Sequence, residues 1–224
     1  MAVVASRQRL HADLRLHHVR RAGRLQQAVR YGGGVMSRHE GQNLDKRIYS
    51  VIPVLHKTGK QFIEEHHYSK SAAITSVYSH GLFFKEDLCG ALLWMPPTKV
   101  AAQSVSQQDW KRVLTLSRLA ISPEAPRNAA SFALSRSRKL IKGEGIWKHL
   151  VTYADTWQGH TGAIYAADNW TYVGKTKPSP VWTDVDGKVR GRKRGPKNLS
   201  VNEMINDGMI YIGSFPKHKY VRHL

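Results

Sequence analysis

The sequence predicts a mixed α/β domain. Three observations carry that prediction. Two apolar runs, 74–84 and 88–95, flank the polar triplet Lys85-Glu86-Asp87 in the manner of a hairpin. A helical apolar periodicity begins at Asn128 and stops at Gly143 and Gly145, and further short aromatic or β-branched runs are interspersed. The 224 residues, 41% hydrophobic and 23% charged, suffice for one domain with a buried core.

The elements follow in order. Ile48 to Ile52 is β-branched and aromatic and is closed by Pro53, so it reads as a first strand. A helix capped by Thr58 comes next, with Phe62, Ile63 and His66 on one face, ending near His67-Tyr68-Ser69-Lys70. After the hairpin, Pro96-Pro97 ends the second run and Gln103 to Asp109 reads as a polar loop. Trp110 to Ile121 is a strand closed by Ser122-Pro123. The helix from Asn128 turns Ala129, Phe132, Ala133 and Leu140 inward, with Ser131, Ser135, Arg138 and Lys139 outside. Trp147 to Tyr153 is a strand, Gln158 to Ala167 a short helix, Trp170 to Val173 a strand, and Met209 to Ile212 a closing strand. Between the last two, Asp186-Gly187 marks a hairpin turn and Gly191 to Lys197 a basic loop too polar to pack a core.

Thirty-five Lys and Arg against 16 Asp and Glu give a formal charge of +19. The excess is densest at the ends: eight basic against two acidic residues in 1–40, 18 against 11 in 41–185, and nine against three in 186–224. A field of this sign attracts polyanions, which makes nucleic acid the leading partner class. The single cysteine, Cys89, excludes an internal disulfide framework and cysteine-cluster zinc sites. No apolar stretch approaches the roughly 18 to 20 residues that span a bilayer, so no membrane partner is expected. Neither a P-loop nor a strand-linked GxGxxG is present, which removes the usual cradles for nucleotide hydrolysis and dinucleotide redox chemistry. Met95-Pro96-Pro97-Thr98 lacks the acceptor and the stacking aromatic that flank the Pro-Pro loop of adenine methyltransferases.

Tyr31-Gly32-Gly33-Gly34-Val35-Met36 places glycine codons just upstream of a methionine, as a translated ribosome-binding site would read. The expectation is therefore that Met36 is the start and that residues 1–35 are a basic arm.

Three constellations carry chemistry. The strand Leu116-Ser117-Arg118-Leu119 runs through a turn into Arg127-Asn128-Ala129-Ala130-Ser131, so that a helix start, a guanidinium and a hydroxyl converge where a pyrophosphate would bind; a plain capped helix fits equally well. Tyr153-Ala154-Asp155 to Tyr165 joins a strand end to a helix, where open α/β sheets place ligands. There Asp155 suits a base or an N-cap, and Tyr165 can face the same cleft. His67 and Tyr68 offer imidazole nitrogen and phenolate oxygen to a metal, although such pairs are more often structural.

Together these residues, with Gly159-His160, Gly162, Asn169-Trp170 and Gly174, resemble the Mom family of Mu-like phages, DNA-modifying proteins related to the GNAT acyltransferase fold. The likeness covers about residues 46 to 224. It implies a mostly antiparallel GNAT-like central sheet flanked by helices, a catalytic domain over 36–182 and a basic C-terminal extension over 183–224 that contacts DNA. It implies conversion of adenine N6 in double-stranded DNA, with the adenine flipped out, to N6-carbamoylmethyladenine in the cytoplasm of the bacterial host, protecting phage DNA from restriction. Arg118, Arg127, Asn128 and Ser131 would serve acetyl-CoA or a related donor. Asp155 and Tyr165 would be catalytic, His67 and Tyr68 catalytic at an iron site, and Trp94, Trp110 or Trp170 available to stack on the base. Arg190, Arg192, Lys193, Arg194 and Lys197, with the tail from Lys217 to Arg222, would hold phosphates. Ala129 and Ala130 stand where GNAT enzymes favour glycine, which weakens the expectation of coenzyme A. The alternatives are an ordinary GNAT acetylating a protein or small-molecule amine, and a basic DNA-binding protein on a decayed transferase scaffold.

Overall fold

A computed structural model describes residues 43–224; the expected arm and the Met36 start lie outside the described residues. The chain forms β1 (Tyr49–Pro53), α1 (His56–His66), β2 (Tyr78–Phe84), β3 (Asp87–Met95), α2 (Lys99–Gln103), β4 (Val113–Ile121), α3 (Ala129–Gly143), β5 (His149–Asp155), α4 (Ala163–Ala167) and β6 (Thr171–Lys175). There follow β7 (Ser179–Thr183), β8 (Val189–Arg190), β9 (Lys193–Arg194), β10 (Lys197–Asn198), α5 (Val201–Asn206), β11 (Ile210–Phe215) and β12 (Lys217–His223). A seven-stranded sheet has the order β1-β2-β3-β4-β5-β12-β6; β11-β7-β8 make a second sheet and β9-β10 a small hairpin.

Alternation along the strands buries apolar side chains on both faces of the sheet. Leu92 and Trp94 point to one face, where α3 covers them with Ala129, Ala133, Leu134 and Ile141. Ala91 and Leu93 point to the other, where α1 lays down Phe62 and Ile63. Each fully buried side chain of this size contributes about 1.5–3 kcal/mol. Ser137 also faces inward, where its hydroxyl meets Trp94 Nε1 at 2.8 Å and His80 Nδ1 at 2.6 Å. The inward stripe of α3 thus runs 129-133-137-141, and Phe132 and Leu140 are only half-buried. The expected stripe counted apolar residues and passed over a serine whose hydrogen bonds make it a core residue.

The sheet opens at its centre. β4 and β5 are parallel and paired only where Val113, Leu114 and Thr115 meet His149, Leu150 and Val151. Beyond that point β4 stays with β3 and β5 with β12. The register of β4 shifts between Arg118 and Leu116, so that Ser117 is an extra residue whose hydroxyl bonds Leu93 O at 2.9 Å. A bulge bends its strand, and this one accompanies the parting of β4 from β5.

Several expectations change in three dimensions. Helix α1 starts at His56, with Leu55 rather than Thr58 at its N-cap and no side-chain cap. Lys99–Gln103 is a short helix capped by Thr98. The 158–167 helix is interrupted, because Gly159 and Gly162 adopt left-handed φ values of 69° and 83°. At Gly162 a Cβ would come within 2.3 Å of the Tyr220 ring. The Met209–Ile212 run pairs with β7 rather than closing the central sheet. That closing role belongs to Lys217–His223, so the segment 183–224 contains a strand of the central sheet and is not wholly an extension.

Candidate active site

The parted strands form one side of a cavity of about 850 Å³ lined by His67, Tyr68, Pro97, Arg118, Thr152, Asp155, His160, Tyr165 and Lys217, among others. Asp155 ends β5, and its carboxylate is 14% exposed. Tyr68, on the loop after α1, donates its hydroxyl to Asp155 Oδ2. Lys217, the first residue of β12 and the register partner of Asp155, brings Nζ to 2.6 Å from Oδ1. Lys217 thus faces Oδ1 and Tyr68 faces Oδ2, and Oδ1 is closed to solvent. Burial raises the Asp155 carboxyl, but Lys217, Tyr68 and Arg118 together outweigh it and hold the group below the ordinary 3.8.

The surrounding groups are neutral or fixed. Burial raises the Tyr68 phenol, and the hydrogen bond to Asp155 adds to the shift, so Tyr68 keeps its proton. Tyr165, on α4, is likewise raised by burial, with the Asp155 charge adding to it. Arg118 is tied to Ser71 O at 2.8 Å and to Ser117 O at 2.6 Å; burial lowers its pKa, and the attraction of Tyr68 and Asp155 opposes that. His67 stacks near Tyr68 with ring centroids 4.1 Å apart, and the Tyr68 ring meets Trp157 and His160 nearly edge-on at 5.7 and 5.3 Å.

The arrangement around His67 and Tyr68 gives no support to an iron. Ser69 engages His67 Nδ1 through its hydroxyl at 2.7 Å and its N–H at 3.1 Å. Burial and the Arg118 charge push His67 down to about 3, so it stays neutral, and Tyr68 resists becoming a phenolate. Among the described residues no group of three His, Cys, Asp or Glu is arranged to hold a metal.

Asp155, Tyr165, His67, Tyr68 and Arg118 are thus brought together, whereas Arg127, Asn128 and Ser131 are not on the cavity wall. Asn128 Oδ1 accepts the Leu44 N–H at 3.1 Å, and Ser131 donates to Asn128 O at 3.1 Å. Asn128 and Ser131 line a separate pocket of about 270 Å³ with Lys46, Ser135, Arg136 and Lys139. In the basic hairpin, Arg190 pairs with Asp184, Arg192 Nε donates to Leu199 O at 2.8 Å, Arg194 lies 3.9 Å from Asp207 and Lys197 meets Glu203, while Lys193 is exposed. Trp94 and Trp170 are buried and unavailable to a base. Sequence reasoning missed Lys217 and assigned it to a phosphate-holding tail; the aromatic and β-branched pair Tyr220-Val221, buried within Lys217–His223, was the available signal of a strand.

Residues 48–222 of the chain match the Mom protein family. The chain belongs to the Mom family. It is similar to methylcarbamoylase mom of Escherichia phage Mu, with 25% identity over 177 residues covering 74% of this chain and 71% of that protein. The fold of this Mom-family chain is GNAT-like. It is similar to a mosquito arylalkylamine N-acetyltransferase like 5b, with a TM-score of 0.51 at 9% identity over 79% of this chain and all of that one. A Drosophila melanogaster polyamine N-acetyltransferase matches with a TM-score of 0.47, again at 9% identity over 79% of this chain and all of that one.

Proposed function

We propose that the protein is a phage DNA-modification transferase that converts adenine N6 in double-stranded DNA to N6-carbamoylmethyladenine, shielding the DNA from restriction in the bacterial host cytoplasm. The observation that carries this reading is the Asp155 carboxylate, held ionised on the wall of a cavity shared with two protonated tyrosines, in a chain of the Mom family. Adenine N6 is a poor nucleophile because its lone pair is delocalised into the ring. Proton removal must therefore accompany bond formation, and the Asp155 carboxylate is the group assigned to accept that proton. Tyr165 keeps its proton and can hand it to the leaving atom of the donor, so that one proton enters the protein and one leaves it. The base has to be flipped from the duplex at a cost of a few kcal/mol. With Trp94 and Trp170 buried, the rings available to such a base are those of the cavity wall, Tyr68, Tyr153, His160 and Tyr165 among them.

The opening between β4 and β5, with Arg118 on its wall, suits the chain of an acyl-CoA-type donor. When bound, such a donor would supply an activated carbon with a thiolate leaving group. Plain acetyl transfer would leave an amide on N6, whereas carbamoylmethyl is attached through its CH₂, so the donor of the final group differs from acetyl itself. An iron is not part of this reading.

The test is expression of the full chain in bacteria followed by mass spectrometry of nucleosides from plasmid DNA. Modified deoxyadenosine is expected with the wild type and absent with Asp155→Ala at equal soluble protein. Unmodified DNA from cells holding folded wild-type protein would overturn the proposal in favour of a transferase for other amines. Equal modification by the variant would remove Asp155 from the chemistry.

A further inference from the structure

The segment from Thr176 to Pro216 leaves the central sheet after β6 and re-enters it at β12, and it is fastened to the cavity at two places. The first is the loop after α1. Val189 N donates to Ser69 O at 2.9 Å, Lys70 Nζ donates to Asp186 O at 3.0 Å, and Lys188 Nζ lies 3.8 Å from Glu64. Lys70 holds a left-handed φ of 45°, an uncommon conformation for a residue with a side chain, which the contacts on either side of it maintain. Ser69, between these fastenings, bonds His67 Nδ1 through its hydroxyl at 2.7 Å and is adjacent to Tyr68. The second place is the return end, where Thr156 donates to Pro216 O at 2.6 Å, next to Lys217. Each of the two groups that hold Asp155 is therefore one or two residues from a bond between the inserted segment and the core. The same segment carries the exposed cations Lys193, Arg194 and Lys197 at its far end.

We propose that the hairpin of β7 and β8 is a positioning element for Tyr68: Val189 and Asp186 grip Ser69 and Lys70, so that duplex DNA seated on the basic end of the segment sets the loop that presents Tyr68 to Asp155. This rests on the reading of the cavity as the adenine-modifying centre. Val189, Lys70 and Asp186 are positioning residues and touch no substrate.

The variants are Lys70→Ala, which removes the grip on Asp186, Lys70→Arg, which restores it, and Val189→Pro, which removes the N–H donated to Ser69. Duplex affinity at fixed salt and plasmid modification are read side by side. Lys70→Ala and Val189→Pro are expected to lower modification about two- to tenfold, the equivalent of one lost hydrogen bond, with duplex affinity unchanged, and Lys70→Arg to recover it. A parallel loss of affinity in Lys70→Ala would make Lys70 a phosphate contact and overturn the proposal, as would unchanged modification. Hydrogen exchange of peptides over 67–71 supplies a readout independent of activity. Duplex DNA should slow exchange there in the wild type and not in Lys70→Ala. DNA binding without any change in that exchange overturns the positioning role even if adenine is modified, whereas slowed exchange without modification upholds it and counts against the proposed reaction alone.

Discussion

Replacing Lys217 by methionine keeps an unbranched side chain, one atom shorter, and removes the ammonium that stands 2.6 Å from Asp155 Oδ1. With charge centres about 4 Å apart and an effective dielectric constant of about 20, the attraction is about 4 kcal/mol. The Lys217 side chain is 39% exposed, and solvent screening reduces this to about 2 kcal/mol. Asp155 titrates below the ordinary 3.8 in the folded state, so its stabilising contribution is complete above that pH and is lost as the pH falls through the folded value. Lys217→Met, Asp155→Asn and the double variant form a cycle, read by urea denaturation from pH 7 downward. A coupling of about 2 kcal/mol is expected at pH 7, fading as the carboxyl protonates. A coupling under about 0.5 kcal/mol, or one that does not change with pH, would refute the view that Lys217 holds Asp155 ionised.

Three other outcomes follow from the same geometry. His67 is pushed down to about 3 mainly by burial, whereas the unfolded imidazole titrates at 6.5; stability should be full above 6.5 and fall as the pH drops towards 3, by up to about 1.4 kcal/mol per pH unit, and His67→Gln should remove that slope from denaturation curves. Asp168→Ala strips the buried partner from Arg138 and from Trp170 Nε1, and denaturation should register a loss of about 3–5 kcal/mol; a loss below about 1 kcal/mol would show the pair to be unimportant. Replacing Arg192, Lys193 and Arg194 by alanine should flatten the salt dependence of duplex binding by about two units, fewer than the three charges allow because Arg192 already bonds Leu199 O. An unchanged slope would reject phosphate contact by this hairpin.

Much of the framework is legible along the chain. The run of apolar residues broken by Lys85-Glu86-Asp87 becomes β2 and β3 with their turn, and the Asn128–Gly143 periodicity becomes α3, because these elements draw on neighbouring residues only. The Tyr153–Tyr165 region lies at the cavity, as its position at a strand end implied. Lys217 escaped notice because its partner lies 62 positions away in the sequence, and a lysine between Pro216 and His218 reads as surface until the register of β12 against β5 is known. The inward serine on α3 escaped for a similar reason: Ser137 is a core residue only because His80 and Trp94 arrive beside it.

The sequence by itself determined the class of fold, the basic character and the short segments in which Asp155, Tyr165, His67 and Tyr68 occur, since composition, periodicity and local spacing are properties of contiguous residues. Only the tertiary structure decided which charges meet. It parted β4 from β5 to open the cavity, set Lys217 against Asp155, turned His67 Nδ1 towards Ser69, and fastened the β7–β8 hairpin to the loop of Tyr68. The physical reason is that electrostatic coupling depends on distance through space and on burial, and sheet register alone brings residues so distant in sequence to within a few ångströms.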